Sequence, residues 1–276
     1  MSHFPLVDRY FSTLLGSELS ALSSSGPSVV ETELRLRRAQ SYGFVHALWW
    51  LWLEDGRSLA SVPPGAGQAV AAIVGGTTRP EASSALDLAP RLRATIDPLL
   101  AEAGLAAIDR TGVSLVFACN YEHLRIWRTG DCRRLRDVSI PPAEGLYLPE
   151  HCFPDGTVYG VVEDERVVAV AYAHRSGIME GMVADMGVDT AVGYRRRGYA
   201  KTAVSAVVRE VVARGGEAVY DCRPDNVASA STARSVGFVP YGGCLVLGAP
   251  DEPLARPKVV ALQRRRDTET GEESNG

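Results

Sequence analysis

Asp185-Met-Gly-Val-Asp-Thr-Ala-Val-Gly-Tyr-Arg-Arg-Arg-Gly-Tyr-Ala-Lys-Thr202 is the stretch on which the reading of this chain turns. It starts as a short apolar run, passes through a basic turn punctuated by glycine, and continues into a helix. A strand–turn–helix brings backbone N–H groups and a helix N-terminus to one point, which makes a site for an anion. Gly198 lets the chain approach that anion with no Cβ in the way. Arg195, Arg196 and Arg197 add positive charge around the same turn. The implied ligand carries phosphate or pyrophosphate.

Two common phosphate motifs fail here. Gly193 and Gly198 have the glycine spacing of a P-loop, but Tyr199 stands where the lysine belongs and Lys201-Thr202 come two residues late. No Gly-x-Gly-x-x-Gly follows an expected strand, so a Rossmann dinucleotide site has no support. Arg195-x-x-Gly198-x-Ala200 instead resembles the Arg/Gln-x-x-Gly-x-Gly/Ala turn of the GCN5-related N-acetyltransferases (GNAT). A second stretch strengthens the resemblance: Asp221-Cys222, Asn226, Ser229 and Gly237-Phe238 follow the family's C-terminal motif. Asp185-Met-Gly-Val-Asp-Thr is most similar to the branch with an acidic residue, Gly, an acidic residue and Thr on the strand before the turn. The resemblance covers about residues 150–248.

Bulk composition agrees with a soluble globular chain. A length of 276 residues allows one large domain or two modest ones, and 46% hydrophobic with 22% charged residues is ordinary. A net charge of −4 gives no electrostatic footprint for nucleic acid. Five cysteines with no Cys-x-x-Cys suggest neither a disulfide framework nor a zinc site, so no metal is expected. The N-terminus lacks a signal-peptide pattern, and the apolar block 45–53 is too short to span a membrane. The expectation is a cytoplasmic protein with no membrane partner.

Along the chain, residues 7–22 have helical spacing, a second, more polar helix is expected over 30–40, and 42–53 begins a hairpin turning at Glu54-Asp55-Gly56-Arg57. Residues 85–103 read as a helix that Pro90 and Pro98 kink or split. Residues 113–118 read as a strand and 132–137 as a short basic helix. Then come strands over 157–162, 167–174 and 182–188, the anion turn, a helix with Val204, Val207, Val208 and Val211 on one face, a strand over 217–222, a helix over 228–236 and a strand over 243–247. Trp49, Trp50 and Trp52 read as core or interface, and the histidines show no metal-ligand spacing. The expected class is α/β (α+β), with a mixed, splayed sheet. The division is residues 1–125 as an additional N-terminal α/β region, a degenerate relative or a lid, and 126–250 as the acetyltransferase domain. Residues 264–276 are an expected disordered tail.

The resemblance implies a chemistry. Acetyl-CoA is the expected cofactor, its pantetheine pairing with backbone at Met186, Gly187 and Val188. Its pyrophosphate lies against Arg195, Arg196, Arg197, Gly198, Tyr199, Ala200, Lys201 and Thr202, with Asn226 and Ser229 approaching from the second helix. The acceptor is a primary amine of a small molecule or peptide, which needs a carboxylate base. Asp185 best matches the family's strand acid, and a partly apolar strand face is expected to raise its pKa. Asp221 and Asp189 are the alternatives. The tyrosine that protonates the leaving thiolate in many members falls at Ala233, which leaves Tyr241 or Tyr220 as a substitute, or a CoA thiolate that departs without an acid. A non-catalytic acyl-CoA sensor, or transfer of another acyl group, stays open beside N-acetylation, as do the acceptor and the oligomeric state.

Overall fold

The computed structural model describes residues 3–22, 26–37, 44–77, 80–153, 156–174 and 182–250. The expected tail at 264–276 and the end of the helix expected over 30–40 lie outside them. The described part is a mixed α/β structure built on one ten-stranded open sheet.

Helix α1 (Pro5–Leu15) starts with proline in its first turn, where no N–H is needed. It buries Val7, Tyr10, Phe11 and Leu15 on one face. Gly16, at φ 76, ends it in the left-handed region seven residues earlier than the apolar periodicity suggests, and a 3-10 turn at Leu19–Ala21 carries the rest. Strand β1 (Pro27–Glu31) occupies the start of the expected second helix, because Val29 and Val30 suit an extended backbone and β3 offers an edge. A 3-10 turn at Glu33–Leu36 follows, capped by Thr32. The hairpin forms as expected, from β2 (Phe44–Leu53) and β3 (Ser58–Val62). After α2 (Gly67–Val74), helix α3 (Ala82–Glu102) runs through both prolines without splitting. Pro90 and Pro98 lie on its exposed side, where water can satisfy the freed carbonyls. Ala85, Ala89, Leu92, Ile96 and Leu100 hold the other side in the core.

Strand β4 (Arg110–Cys119) ends the N-terminal half. The basic helix expected at 132–137 is instead edge strand β5 (Asp131–Arg134), with exposed Asp131 and Arg133 flanking half-buried Cys132. That period of two lets it pair with β6 (Thr157–Glu163). A turn with Asp164 and Glu165 both at positive φ leads to β7 (Arg166–His174), and β8 (Val183–Thr190) follows. Then come α4 (Tyr199–Val212), β9 (Glu217–Cys222), α5 (Val227–Val236) and β10 (Val239–Pro250).

Sheet order is β1-β3-β2-β10-β4-β9-β8-β7-β6-β5. The last strand therefore lies between two strands of the first half, and β4 lies between β10 and β9. One face carries α2–α5: α4 and α5 cover Tyr220, Phe117 and Phe238, and α3 covers Trp50, Leu245 and Leu247. The opposite face carries α1, packed on Leu51, Val116, Val183 and Val219. The Glu217 carboxylate of β9 accepts the N–H groups of Leu6 and Val7 at 3.0 and 2.9 Å, capping α1 from the other half of the chain. Beside α1 this face stays partly open, and that gap forms a groove. No helix among the described residues is long and apolar enough to cross a membrane.

Candidate active site

Strands β8 and β9 run parallel but pair only over Val183–Asp185 and Glu217–Val219. Beyond Asp185 they separate, so the β9-facing edge of Met186, Gly187 and Val188 has no strand partner among the described residues, while β7 pairs with all three on the other side. Gly187 leaves room there for a neighbouring ring. A Cβ at that position would run into the Tyr172 ring, its register partner on β7. An open edge with its N–H and C=O groups presented is a template for an extended ligand.

The basic turn sits at the end of this opening. Arg196 takes a left-handed backbone (φ 63), rare for a residue with a Cβ, and Gly198 follows at φ 85 as the N-cap of α4. No side chain caps that helix. Its first N–H groups and its positive dipole end therefore face a cavity of about 500 Å³, lined by Arg195, Arg196, Gly198, Tyr199, Ala200 and Lys201 from the turn. Val188, Tyr220, Asn226 and Ser229 close its other side. These features fit a diphosphate followed by an extended arm.

Not every residue expected to touch the ligand lines this cavity. Arg197 turns away to pair with Glu163 at 3.1 Å and lies 5.1 Å over the Tyr194 ring. Thr202 is buried, and its hydroxyl accepts the Thr129 N–H at 2.9 Å, tying the turn's helix to the preceding loop. Lys201 lies 4.3 Å over Trp127. Asn226 caps α5 by accepting the Ser229 N–H at 3.1 Å. The Ser229 hydroxyl is 2.8 Å from the Tyr220 hydroxyl, and burial pushes that phenol up to about 12.

Two of the three expected carboxylates, Asp185 and Asp221, line the opposite face of the sheet. Asp185 pairs in register with Val219, and Asp221 comes two residues later on the same face of β9. Both line the groove beside α1, of about 420 Å³. Asp221 is open to the groove yet enclosed by its walls. Loss of bulk water pushes its carboxyl above the ordinary range, partly offset by a hydrogen bond from Ser114. Asp189 faces the cofactor-side cavity and accepts the Tyr147 N–H at 2.8 Å. Tyr241 lies elsewhere: its hydroxyl donates to Asp8 at 2.8 Å in a different cavity, and burial raises its pKa. Ala233, at the family's tyrosine position, is fully buried. Cys222 is buried and its thiol is pushed up, first by burial, which suits a core residue rather than a nucleophile.

Residues 149–242 match the family model described as GNAT acetyltransferase. This segment belongs to the GNAT acetyltransferase family. Solved structures similar to the chain include a GNAT-family protein of Novosphingobium aromaticivorans DSM 12444 (21% identity, 52% of this chain and 66% of that one, TM-score 0.43). A GNAT-family acetyltransferase from Colwellia psychrerythraea shows 15% identity, 55% and 62% coverage and a TM-score of 0.40. A GCN5-related N-acetyltransferase from Kribbella flavida shows 17%, 62% and 77%, and 0.38. The chain thus spans under two thirds of the length of the first two. No curated protein matches it.

The GNAT segment holds the turn, the splayed strands and both carboxylates, but not the whole groove. Tyr10 and Phe11 of α1, Trp49 and His46 of β2, and Ser114 of β4 come from outside it. Trp50 and Trp52 are core, whereas Trp49, one residue out of phase with them, faces the groove. His46, with no recognisable motif, lies buried between the Phe44 and Trp49 rings. Strand alternation separates Trp49 from Trp50 and Trp52, but a bulge at Ala47 shifts the phase of β2 against β10. His46 and Phe44 therefore reach the groove although they are in step with Trp50 by count, and no sequence signal marks them.

Proposed function

We propose that the chain transfers an acetyl group from acetyl-CoA to a primary amine by direct attack. The observation carrying this reading is the β8–β9 separation, with an anion cavity on one side of the sheet and a carboxylate groove on the other. A thioester arm lying along Met186–Val188 would bring its carbonyl to the point where the two cavities meet.

In this reading the α4 N-terminus and the Arg195 and Arg196 side chains hold the diphosphate. A backbone N–H of the open β8 edge polarises the thioester carbonyl. Asp185 or Asp221 receives the amine proton, and the raised pKa of Asp221 suits a base working nearer neutral pH. Tyr220 stays protonated at about 12 and donates a hydrogen bond to the departing sulfur. Full proton transfer to an ordinary thiolate, whose conjugate acid has a pKa of about 8.5, is uphill from such a phenol, so its help is stabilisation of charge rather than delivery of a proton. The groove's apolar wall excludes water from the thioester.

The test is release of free thiol from acetyl-CoA in the presence of a panel of primary amines, with mass detection of the acetylated product. Tight CoA binding with no transfer to any amine would favour the sensor alternative.

A further inference from the structure

The groove that would hold the acceptor is electrically two-ended. At the end under the strand separation stand Asp185 and Asp221. Its middle is apolar, walled by Tyr10 and Phe11 of α1, Val116, Val219, Val246 and Trp49. At the far end stand Arg110 and Phe44, with the guanidinium 4.7 Å over the ring, and His46 behind them. Arg110 has only a marginal pairing with exposed Asp109, at 3.7 Å.

A second positive charge backs this end. Arg35 is fully buried, donates one Nη to the His46 carbonyl at 3.3 Å and the other to the Leu14 carbonyl, and leaves its Nε without a partner. No carboxylate pairs with it among the described residues, and burial lowers its pKa to about 10, so it is still a cation at neutral pH. A buried cation balanced only by carbonyls leaves a positive potential that the low-dielectric wall does not screen. His46 is held neutral, with a pKa near 4, by burial and by Arg35 beside it, so it does not add to that charge.

Register gives the length. Asp221 lies opposite Val116 on β4, and Arg110 is six residues along the same strand, about 20 Å at the rise of an extended chain. Amine-binding and anion-binding ends are thus separated by a long apolar middle. We infer that the acceptor is an elongated zwitterion, with a primary amine at Asp185 and Asp221, an apolar body along Trp49 and α1, and a carboxylate or similar anion at Arg110. The inference rests on the reading of this groove as the acceptor side of the transferase.

Three probes of equal length test it: a ten-carbon ω-amino acid, the ten-carbon amine and the ten-carbon fatty acid. Each is titrated into the full chain saturated with CoA, with tryptophan fluorescence as the binding readout, and the two amines are also assayed for thiol release from acetyl-CoA. The amino acid should bind about tenfold or more tighter than either truncated probe, the scale of one charge-assisted contact. Arg110→Ala should shrink the preference for amino acid over amine to about twofold, and Arg110→Glu should reverse it. Equal affinity for amino acid and amine, or a preference unchanged in both variants, overturns the inference even if thiol is released. The stated preference without thiol release upholds the two-ended groove and counts against the transferase reading alone.

Discussion

Asp185 is the last residue of β8 to find a partner in β9, and Asp221 stands one face-step beyond that partner, where the strands have parted. The two carboxylates therefore flank the opening from the acceptor side, while Tyr220, between Val219 and Asp221, points to the cofactor side. Under the proposed function, either aspartate is a candidate base for an amine arriving at the opening. Asp221→Asn or Asp185→Asn, whichever removes the base, is expected to lower kcat by about 10²–10⁴-fold with CoA affinity kept. A base acts deprotonated, so raising its pKa moves the acid limb of the rate profile to higher pH. If Asp221 is the base, Ser114→Ala removes a hydrogen bond that lowers its pKa, and the limb should move further up. A limb that moves down or stays fixed assigns the role to Asp185.

Backbone geometry dominates the turn. Gly198 at φ 85 and Arg196 at φ 63 set the N–H directions at the start of α4. Gly198→Asp adds backbone strain and a negative charge, and should weaken CoA binding by about 1–3 kcal/mol by calorimetry. Arg196→Ala should cost more affinity than Arg197→Ala, because Arg197 is committed to Glu163. The opposite order would mean that Arg197 leaves Glu163 when ligand binds.

The sequence made the basic turn and its cavity legible, since turn glycines, arginines and an N-capping asparagine act locally and their spacing survives in one dimension. Strands β6–β9 and helices α4 and α5 followed from the same local patterns. The groove beside α1 was legible only at Asp185 and Asp221, because its parts meet through sheet order: Trp49, Ser114 and Asp221 lie on three strands far apart in the chain. Cys132 was misread for a related reason. A four-residue strand has too few residues to show its period, and β6 supplies the edge that decides it.

Tyr220→Phe should keep CoA affinity, since the hydroxyl's known partner is Ser229 rather than the turn. Turnover should fall by about 10–100-fold, less than for loss of the base, because the contribution is one hydrogen bond to developing charge. Poorer leaving groups should suffer more, so a series of thioesters of rising thiol pKa would show a steeper dependence in the variant. An unchanged slope removes Tyr220 from the reaction.

Burial and Arg35 depress His46 to about 4 in the folded chain, against an ordinary value near 6.5. The unfolded chain thus binds the extra proton first as pH falls, so folding loses stability between pH 6.5 and about 4 and gains nothing above that window. The loss has a ceiling of about 3 kcal/mol. His46→Phe should flatten this part of the stability–pH curve in chemical denaturation. A curve as steep as the parent's would assign the acid sensitivity to other groups.

The strand order bears on the division near residue 125. We take 1–125 and 126–250 as two sequence units that fold as one body. A fragment of 126–250 would lose β2 and β4, leaving both edges of the twelve-residue β10 unpaired and one edge of β9 open. It would also lose α1, exposing Val183 and Val219 and leaving Glu217 without the Leu6 and Val7 N–H groups. Long unpaired apolar edges drive association. The fragment is expected to be insoluble or oligomeric, and addition of residues 1–125 in trans during refolding should rescue it. The full chain should unfold in one transition by circular dichroism and fluorescence together. It should bind one CoA, since residues 1–125 contain no second Arg-x-x-Gly-x-Gly/Ala turn. A soluble monomeric fragment with full CoA affinity, or two separate transitions, would show that the C-terminal unit folds without the strands that flank β10.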